Sequence, residues 1–91
     1  MSLCLELYGT LGCHLCDQAE AIILAVLEAN PGLSTHLQIE AVDIAESDAL
    51  IEAYGERIPV LKALHSGEEL CWPFDPPGLV SFINRYLKPP D

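Results

Sequence analysis

A pair of cysteines three positions apart constrains this chain more than any other feature. The segment Cys13-His14-Leu15-Cys16 follows an apolar run, Leu3 to Tyr8, that predicts a buried strand, and it precedes a run with apolar residues at helical spacing. The first turn of a helix has backbone N–H groups without partners and a partial positive charge, and both favour a thiolate. Since residues three apart share one face of a helix, the second sulfur can reach the first. The spacing predicts a reactive dithiol.

Punctuating residues predict where the helices begin and end. Asn30-Pro31-Gly32 ends the first helix, and a second strand then runs to Asp43. Ser47 is typical of the N-cap of a short helix that Gly55 ends, and Asp75-Pro76 begins the last helix, which Pro89-Pro90 ends. The apolar residues expected on the buried faces of the first and last helices are Ala19, Ile22, Ile23, Val26, Leu27, Leu79, Phe82, Ile83, Tyr86 and Leu87.

Two further strands complete the pattern. Ile58-Pro59-Val60-Leu61 opens a third strand, and Glu69-Leu70-Cys71-Trp72 pairs with it across a turn to form a hairpin. The order β-α-β-α-β-β-α predicts one α/β domain over residues 1–91, with a parallel first β-α-β unit, a four-stranded mixed sheet and helices on both faces. Cys4 and Cys71 fall inside strands and are expected to be buried packing residues.

The charge balance excludes several classes of partner. Fourteen acidic residues against four basic ones give a net charge of -10, which argues against nucleic acid and anionic membranes. No stretch approaches the ~18 apolar residues of a membrane span, and the N-terminus lacks a basic leader. We therefore expect a cytoplasmic monomer. Cysteines are reduced in that compartment, so a Cys-x-x-Cys pair there is typically catalytic or metal-binding.

Four motifs in order resemble a group of bacterial glutaredoxin-like proteins of the thioredoxin-fold superfamily. They are Gly12-Cys13-His14-Leu15-Cys16-Asp17 after Leu7-Tyr8, Tyr54-Gly55, Arg57-Ile58-Pro59-Val60-Leu61 and Trp72-Pro73-Phe74-Asp75. The resemblance implies a thioredoxin-like fold and a thiol–disulfide oxidoreductase. It makes Cys13 the attacking thiolate, Cys16 the resolving thiol and Pro59 a cis-proline facing them. It also implies that the backbone of Ile58 pairs with an extended substrate.

Departures from the glutathione-using glutaredoxins bear on the partner. Those proteins carry Pro and Tyr between the cysteines, Lys three residues before the first, and a Gly-Gly segment after the hairpin. This chain has His14 and Leu15, Thr10, and Trp72-Pro73-Phe74-Asp75 at those positions. With the acidic charge, they argue against glutathione as a bound cofactor, and we expect no cofactor. The expected substrate is a disulfide-containing protein, and the reductant is thioredoxin reductase or glutathione.

Other functions remain open at this level. Cys13 and Cys16 can instead hold a metal or an iron–sulfur cluster, although zinc takes about four ligands and the rest must come from elsewhere. A third reading is a glutaredoxin-like binding domain without turnover. Protonated His14 would favour the thiolate, or it is simply exposed. Arg57 either contacts a substrate carboxylate or is solvated, and Trp72 either forms an apolar rim for substrate or packs under the last helix.

Overall fold

One mixed sheet organises the fold. The computed structural model describes residues 3–87, apart from the side chains of Ser34, Tyr86 and Leu87. The elements are β1 (Leu3–Gly9), α1 (His14–Ala29), α2 (Pro31–Ser34), β2 (Leu37–Asp43), α3 (Asp48–Tyr54), β3 (Val60–Ala63), β4 (Glu69–Cys71) and α4 (Pro76–Leu87). The strand order is β2-β1-β3-β4. β1 is parallel to β2 and antiparallel to β3, and β3 is antiparallel to β4, which confirms the predicted four-stranded mixed sheet.

The main core lies between one face of the sheet and helices α1 and α4. Alternation along β1 turns Leu3, Leu5 and Leu7 to this face, because successive side chains of a strand point to opposite sides. The helices contribute the residues that their periodicity predicts as buried. Those whose burial is nearly complete are Ala19, Ile23, Val26, Leu79, Phe82 and Ile83. The expected contributions of Tyr86 and Leu87, and the helix end at Pro89-Pro90, lie outside the described residues.

On the second face of the sheet, the described residues form a buried cluster at one end. There Tyr8, Ile44, Tyr54 and Val60 form a smaller buried cluster beneath α3. Away from α3, Cys4 is exposed, with its thiol 3.7 Å from the Gln38 side-chain oxygen. Cys71, opposite Val60 on the edge strand β4, is also exposed. The prediction that Cys4 and Cys71 are buried is therefore wrong, since burial of a strand residue depends on what covers its face.

The predicted helix caps are present, with one change of mechanism. The Ser47 hydroxyl accepts from the Leu50 N–H at 3.4 Å, and the Asp75 carboxylate accepts from the Gly78 N–H at 2.8 Å. Gly55 follows α3 as expected but has φ of -53°, so it does not use the left-handed conformation common at helix ends. Its role is steric, because a Cβ there would lie 2.5 Å from the Ile51 carbonyl oxygen. Helix α2 and a 3₁₀ turn at Ile44–Glu46 were not predicted.

Candidate active site

The cysteine pair lies where β1 gives way to α1. Between the two, residues 10–12 form a loop in which Gly12 has φ of +79°, a conformation that residues with a Cβ rarely adopt. Cys13 is the N-cap residue of α1, and its carbonyl accepts the first helical hydrogen bond from the Asp17 N–H at 3.1 Å. Cys16 lies in the first turn. The loop thus delivers both sulfurs to the positive end of a 16-residue helix.

Cys13 and Cys16 are joined by a disulfide in this structure. Their Cα atoms are 5.2 Å apart, within the ordinary range of about 4.4–6.8 Å for bonded cysteines. Cys13 is half-buried, whereas Cys16 is only 9% exposed. Cys13 is therefore the more accessible residue of the pair, and the roles of attacking and resolving sulfur stay predictions.

A backbone hydrogen bond points at the sulfur of Cys13. The N–H of Cys16 donates to the Cys13 Sγ at 3.1 Å, so the side chain of Cys13 caps the N-terminus of α1. A donor fixed in this position stabilises a thiolate, because hydrogen bonds to the charged form favour it. The sequence suggested free N–H groups at the helix start but did not show that one of them is aimed at the sulfur. His14, the first residue of α1, is exposed, and its role stays a prediction.

Gly9 is a site residue that the sequence did not single out. It is the last residue of β1, and a Cβ built on it would lie 3.0 Å from the Cys16 Sγ and 3.3 Å from the Cys16 Cβ. Such contacts are tighter than the usual packing of carbon and sulfur. The strand can approach the resolving cysteine this closely only because residue 9 has no side chain.

Pro59 lies at the same end of the sheet as the cysteines. It immediately precedes β3, and because β3 is antiparallel to β1, its start adjoins the end of β1, where Tyr8 pairs with Val60. The Ile58–Pro59 peptide bond is cis, as the resemblance implied, and Pro59 is fully buried. The Ile58 N–H donates to the Tyr54 carbonyl at 3.1 Å. A substrate strand at this point would therefore pair with the Ile58 carbonyl rather than with both backbone groups.

The remaining predicted binding residues contact their own chain. Trp72 is half-buried against the main core and meets Phe74 edge-on, with ring centroids 5.2 Å apart. The Trp72–Pro73 peptide bond is also cis, which the sequence did not indicate. Arg57 is exposed; its guanidinium bonds the Glu69 carboxylate at 3.2 Å and lies 4.9 Å from the centre of the Tyr54 ring. Contact of Arg57 or Trp72 with a substrate stays a prediction.

Two stacked tyrosines link the sheet to α3 beside the site. The rings of Tyr8 and Tyr54 are 4.5 Å apart, and their hydroxyls donate to Glu6 and Glu69, each at 2.7 Å. Burial, reinforced by the bond to Glu6, raises the pKa of Tyr8 well above its usual range. The bond to Glu69 raises the pKa of Tyr54 and lowers the pKa of Glu69, because it favours the neutral phenol and the ionised carboxylate together.

Other features were sought across the described part of the chain. Within residues 3–87, no three side chains of His, Cys, Asp or Glu come together in a group that could hold a metal ion. Over the same residues, no helix is both long enough and apolar enough to cross a membrane.

Comparison with known families and structures gives consistent matches. The family described as Glutaredoxin-like domain (DUF836) matches residues 4–84. No curated protein matches the chain. The solution structure of protein XcR50 from X. campestris is 40% identical, with 93% of this chain and 95% of that chain covered and a TM-score of 0.71.

Two further structures extend the comparison. The solution structure of protein Ne2328 from Nitrosomonas europaea is 26% identical, with 90% of this chain and 92% of that chain covered and a TM-score of 0.70. A mutant thioredoxin from Halobacterium salinarum is 23% identical, with 99% of this chain and 79% of that chain covered and a TM-score of 0.72. At that identity the likeness shows the fold alone, and the fold is thioredoxin-like.

Proposed function

The chain belongs to the glutaredoxin-like domain family, and on that basis we propose that it is a thiol–disulfide oxidoreductase that acts on protein disulfides. One observation carries the proposal. The disulfide-bonded pair Cys13 and Cys16 lies at the start of a long helix, with the Cys16 N–H directed at the more accessible sulfur. A dithiol placed in this way has both the activation and the geometry that thiol–disulfide exchange needs.

The reaction runs in two exchanges that the geometry supports. In the reduced protein, the Cys13 thiolate attacks one sulfur of the substrate disulfide, that bond breaks, and the departing substrate thiolate takes a proton. The buried Cys16 then loses its proton and attacks the Cys13 sulfur of the mixed disulfide. The second substrate thiol leaves, the Cys13–Cys16 disulfide forms, and two electrons have passed to the substrate.

Surface chemistry supports a protein substrate over glutathione. Leu11, beside the cysteines, is 91% exposed, and Leu15, between them, is 44% exposed. Apolar side chains at a reactive site are typical of a surface that meets another protein. The segment that would hold the γ-glutamyl end of glutathione in related proteins instead carries Trp72 and Phe74, which pack inward. The net charge of -10 also disfavours an anionic peptide.

Reduction of insulin by dithiothreitol tests the proposed activity. We expect the wild-type protein to accelerate the reaction and Cys13→Ser to return the rate to the uncatalysed background. Cys4→Ser and Cys71→Ser are matched controls, since both residues are exposed cysteines outside the disulfide-bonded pair, and they should keep the wild-type rate. Wild-type activity in Cys13→Ser would exclude the mechanism, and an inactive wild type would favour a binding domain without turnover.

The proposal also needs a reductant that restores the dithiol. Thioredoxin reductase and the glutathione system both draw electrons from NADPH, and we propose that one of them serves this protein in the cytoplasm. NADPH consumption during insulin reduction, measured with each system in turn, identifies which one couples. If neither supports turnover while dithiothreitol does, the assignment of the reductant is wrong and the exchange chemistry stands.

A further inference from the structure

A groove opens on the side of the cysteine pair away from Pro59. Its first part is a cavity of about 230 Å³ between the β1–α1 loop, the first turns of α1 and the end of β2. We name the whole groove, of which this cavity is the first part, the β2-side groove. Leu7, Ala41 and Val42 line it with apolar surface, and Cys16 lies along it. A second cavity of about 280 Å³ shares Leu7, Glu20 and Ala41 and continues it along α1.

Carboxylates surround the mouth of the groove. Asp17, Glu20 and Asp43 line it, and no basic residue between positions 3 and 87 does. One Asp43 oxygen accepts the Ala45 N–H at 2.9 Å. Asp17 and Glu20 are exposed, and the ion pairs of the described residues, Arg57 with Glu69 and Arg85 with Glu68, do not involve them. The groove therefore combines apolar surface with negative charge that no ion pair within the described part of the chain neutralises.

We propose that the β2-side groove receives an arginine or lysine side chain of the substrate protein, located close to the disulfide that Cys13 attacks. This inference rests on the proposed function and names the class of substrate for that site. The aliphatic part of such a side chain covers apolar surface while its charged end stays near water. Here the stem lies along Leu7 and Ala41, and the cation meets Asp17 and Glu20.

The charge of the groove favours this occupant over others. A second copy of the chain is a poor occupant, because each copy carries a net charge of -10 and would bring its own carboxylates. A basic segment of another protein is attracted by the same charge, which would speed encounter at the reactive sulfur.

A pair of peptides tests the inference. Each has one intramolecular disulfide, and they differ only in carrying arginine or its neutral isostere citrulline beside the cysteines. We expect the wild-type protein to reduce the arginine peptide with kcat/KM about two- to fivefold higher, the effect of one or two exposed ion pairs. The preference should vanish near 1 M salt, where the screening length falls to about 3 Å.

Two variants locate the effect. Glu20→Gln should lose at least half of the preference, while Glu52→Gln, an equal change of charge at an exposed position of α3, should keep it. Because the preference is a ratio within one variant, a general loss of folded protein cancels. If the wild-type protein reduced the two peptides at equal rates, or if Glu20→Gln kept the full preference, the inference would be overturned and the proposed function would stay intact. Reduction of neither peptide would overturn both.

Discussion

The two cysteines of the site are chemically alike and made unequal by their positions. Cys13, at the N-cap, is partly accessible and accepts the Cys16 N–H, whereas Cys16 is packed beneath it against Gly9. The helix terminus contributes roughly 0.3–1 kcal/mol to a negative charge at this point. The same backbone conformation directs the Cys16 N–H at one sulfur and buries the residue that carries the other.

Gly9→Ala tests how closely the strand must approach the resolving sulfur. The new methyl group would lie 3.0 Å from the Cys16 Sγ, so Cys16 must shift by a few tenths of an ångström. We expect the free energy of unfolding to fall by about 1–3 kcal/mol, the usual effect of overpacking. We also expect Cys16 to attack the mixed disulfide more slowly. Mass spectrometry should then show mixed disulfide accumulating during turnover.

Gly32→Ala is the matched control for that prediction. Gly32 lies in α2, and a Cβ built there meets no atom within 4 Å. This variant should be at least as stable as the wild type, because alanine loses less conformational freedom on folding than glycine, and it should match the wild type in the level of mixed disulfide. If Gly9→Ala behaved in the same way, the close approach of β1 to Cys16 would have no role in resolution.

At the scale of elements, hydrogen bonds tie α3 to the sheet beside the site. Tyr54 at the end of α3 donates to Glu69 on β4, which also pairs with Arg57. Tyr54 stacks on Tyr8, which pairs with Val60 directly after Pro59. The position of Pro59 at the cysteine end of the sheet therefore depends on α3 and β4 as well as on its own strand.

Tyr54→Phe should weaken this connection in a pH-dependent way. The folded protein raises the pKa of Tyr54 above 10.0, so this group's contribution to stability is complete below that pH and is lost as the pH rises further. We expect Tyr54→Phe to lower the free energy of unfolding by about 1 kcal/mol at pH 7. Urea unfolding at pH 7 and pH 10.5 should show that Tyr54→Phe loses less free energy of unfolding between these pH values than the wild type does.

In acid, the contribution of the same hydrogen bond to stability has the opposite dependence on pH. The pKa of Glu69 is lowered from 4.5, first by its bond to Tyr54, so its contribution is complete above that pH and is lost as the pH falls. Wild type and Tyr54→Phe should therefore converge in stability at low pH as well as at high pH. A difference between them that stays constant from pH 3 to pH 10.5 would show that the bond is not the source of the effect.

Across the whole molecule, features set by local sequence patterns could be predicted, whereas features set by tertiary packing could not. The caps at Ser47 and Asp75 and the helix start at Cys13 follow from short-range chemistry, so the sequence indicates them correctly. The exposure of Cys4 could not be predicted, because it depends on how far α3 extends over the second face of the sheet. The β2-side groove is equally hidden, since β1, α1 and β2 meet there only in the folded chain.

The resemblance supplied what spacing could not. A cis bond before Pro59 is uncommon for any proline taken alone, at about 5–6% of such bonds, and the family pattern is what pointed to it. The direction of the Cys16 N–H and the occupied N–H of Ile58 needed the fold itself. The residue types at the site could thus be named from the sequence, whereas the hydrogen bonds between them could not.

Trapping the mixed disulfide tests the central claim most directly. Reduced Cys16→Ser is mixed with insulin, unreacted thiols are blocked, and the adduct is mapped by peptide mass spectrometry without reduction. The two-step mechanism predicts a stable adduct on Cys13 alone, absent from wild-type protein because Cys16 resolves it. An adduct on Cys4 or Cys71 in preference to Cys13, or no adduct on any cysteine, would contradict the assignment of this chain as a dithiol oxidoreductase.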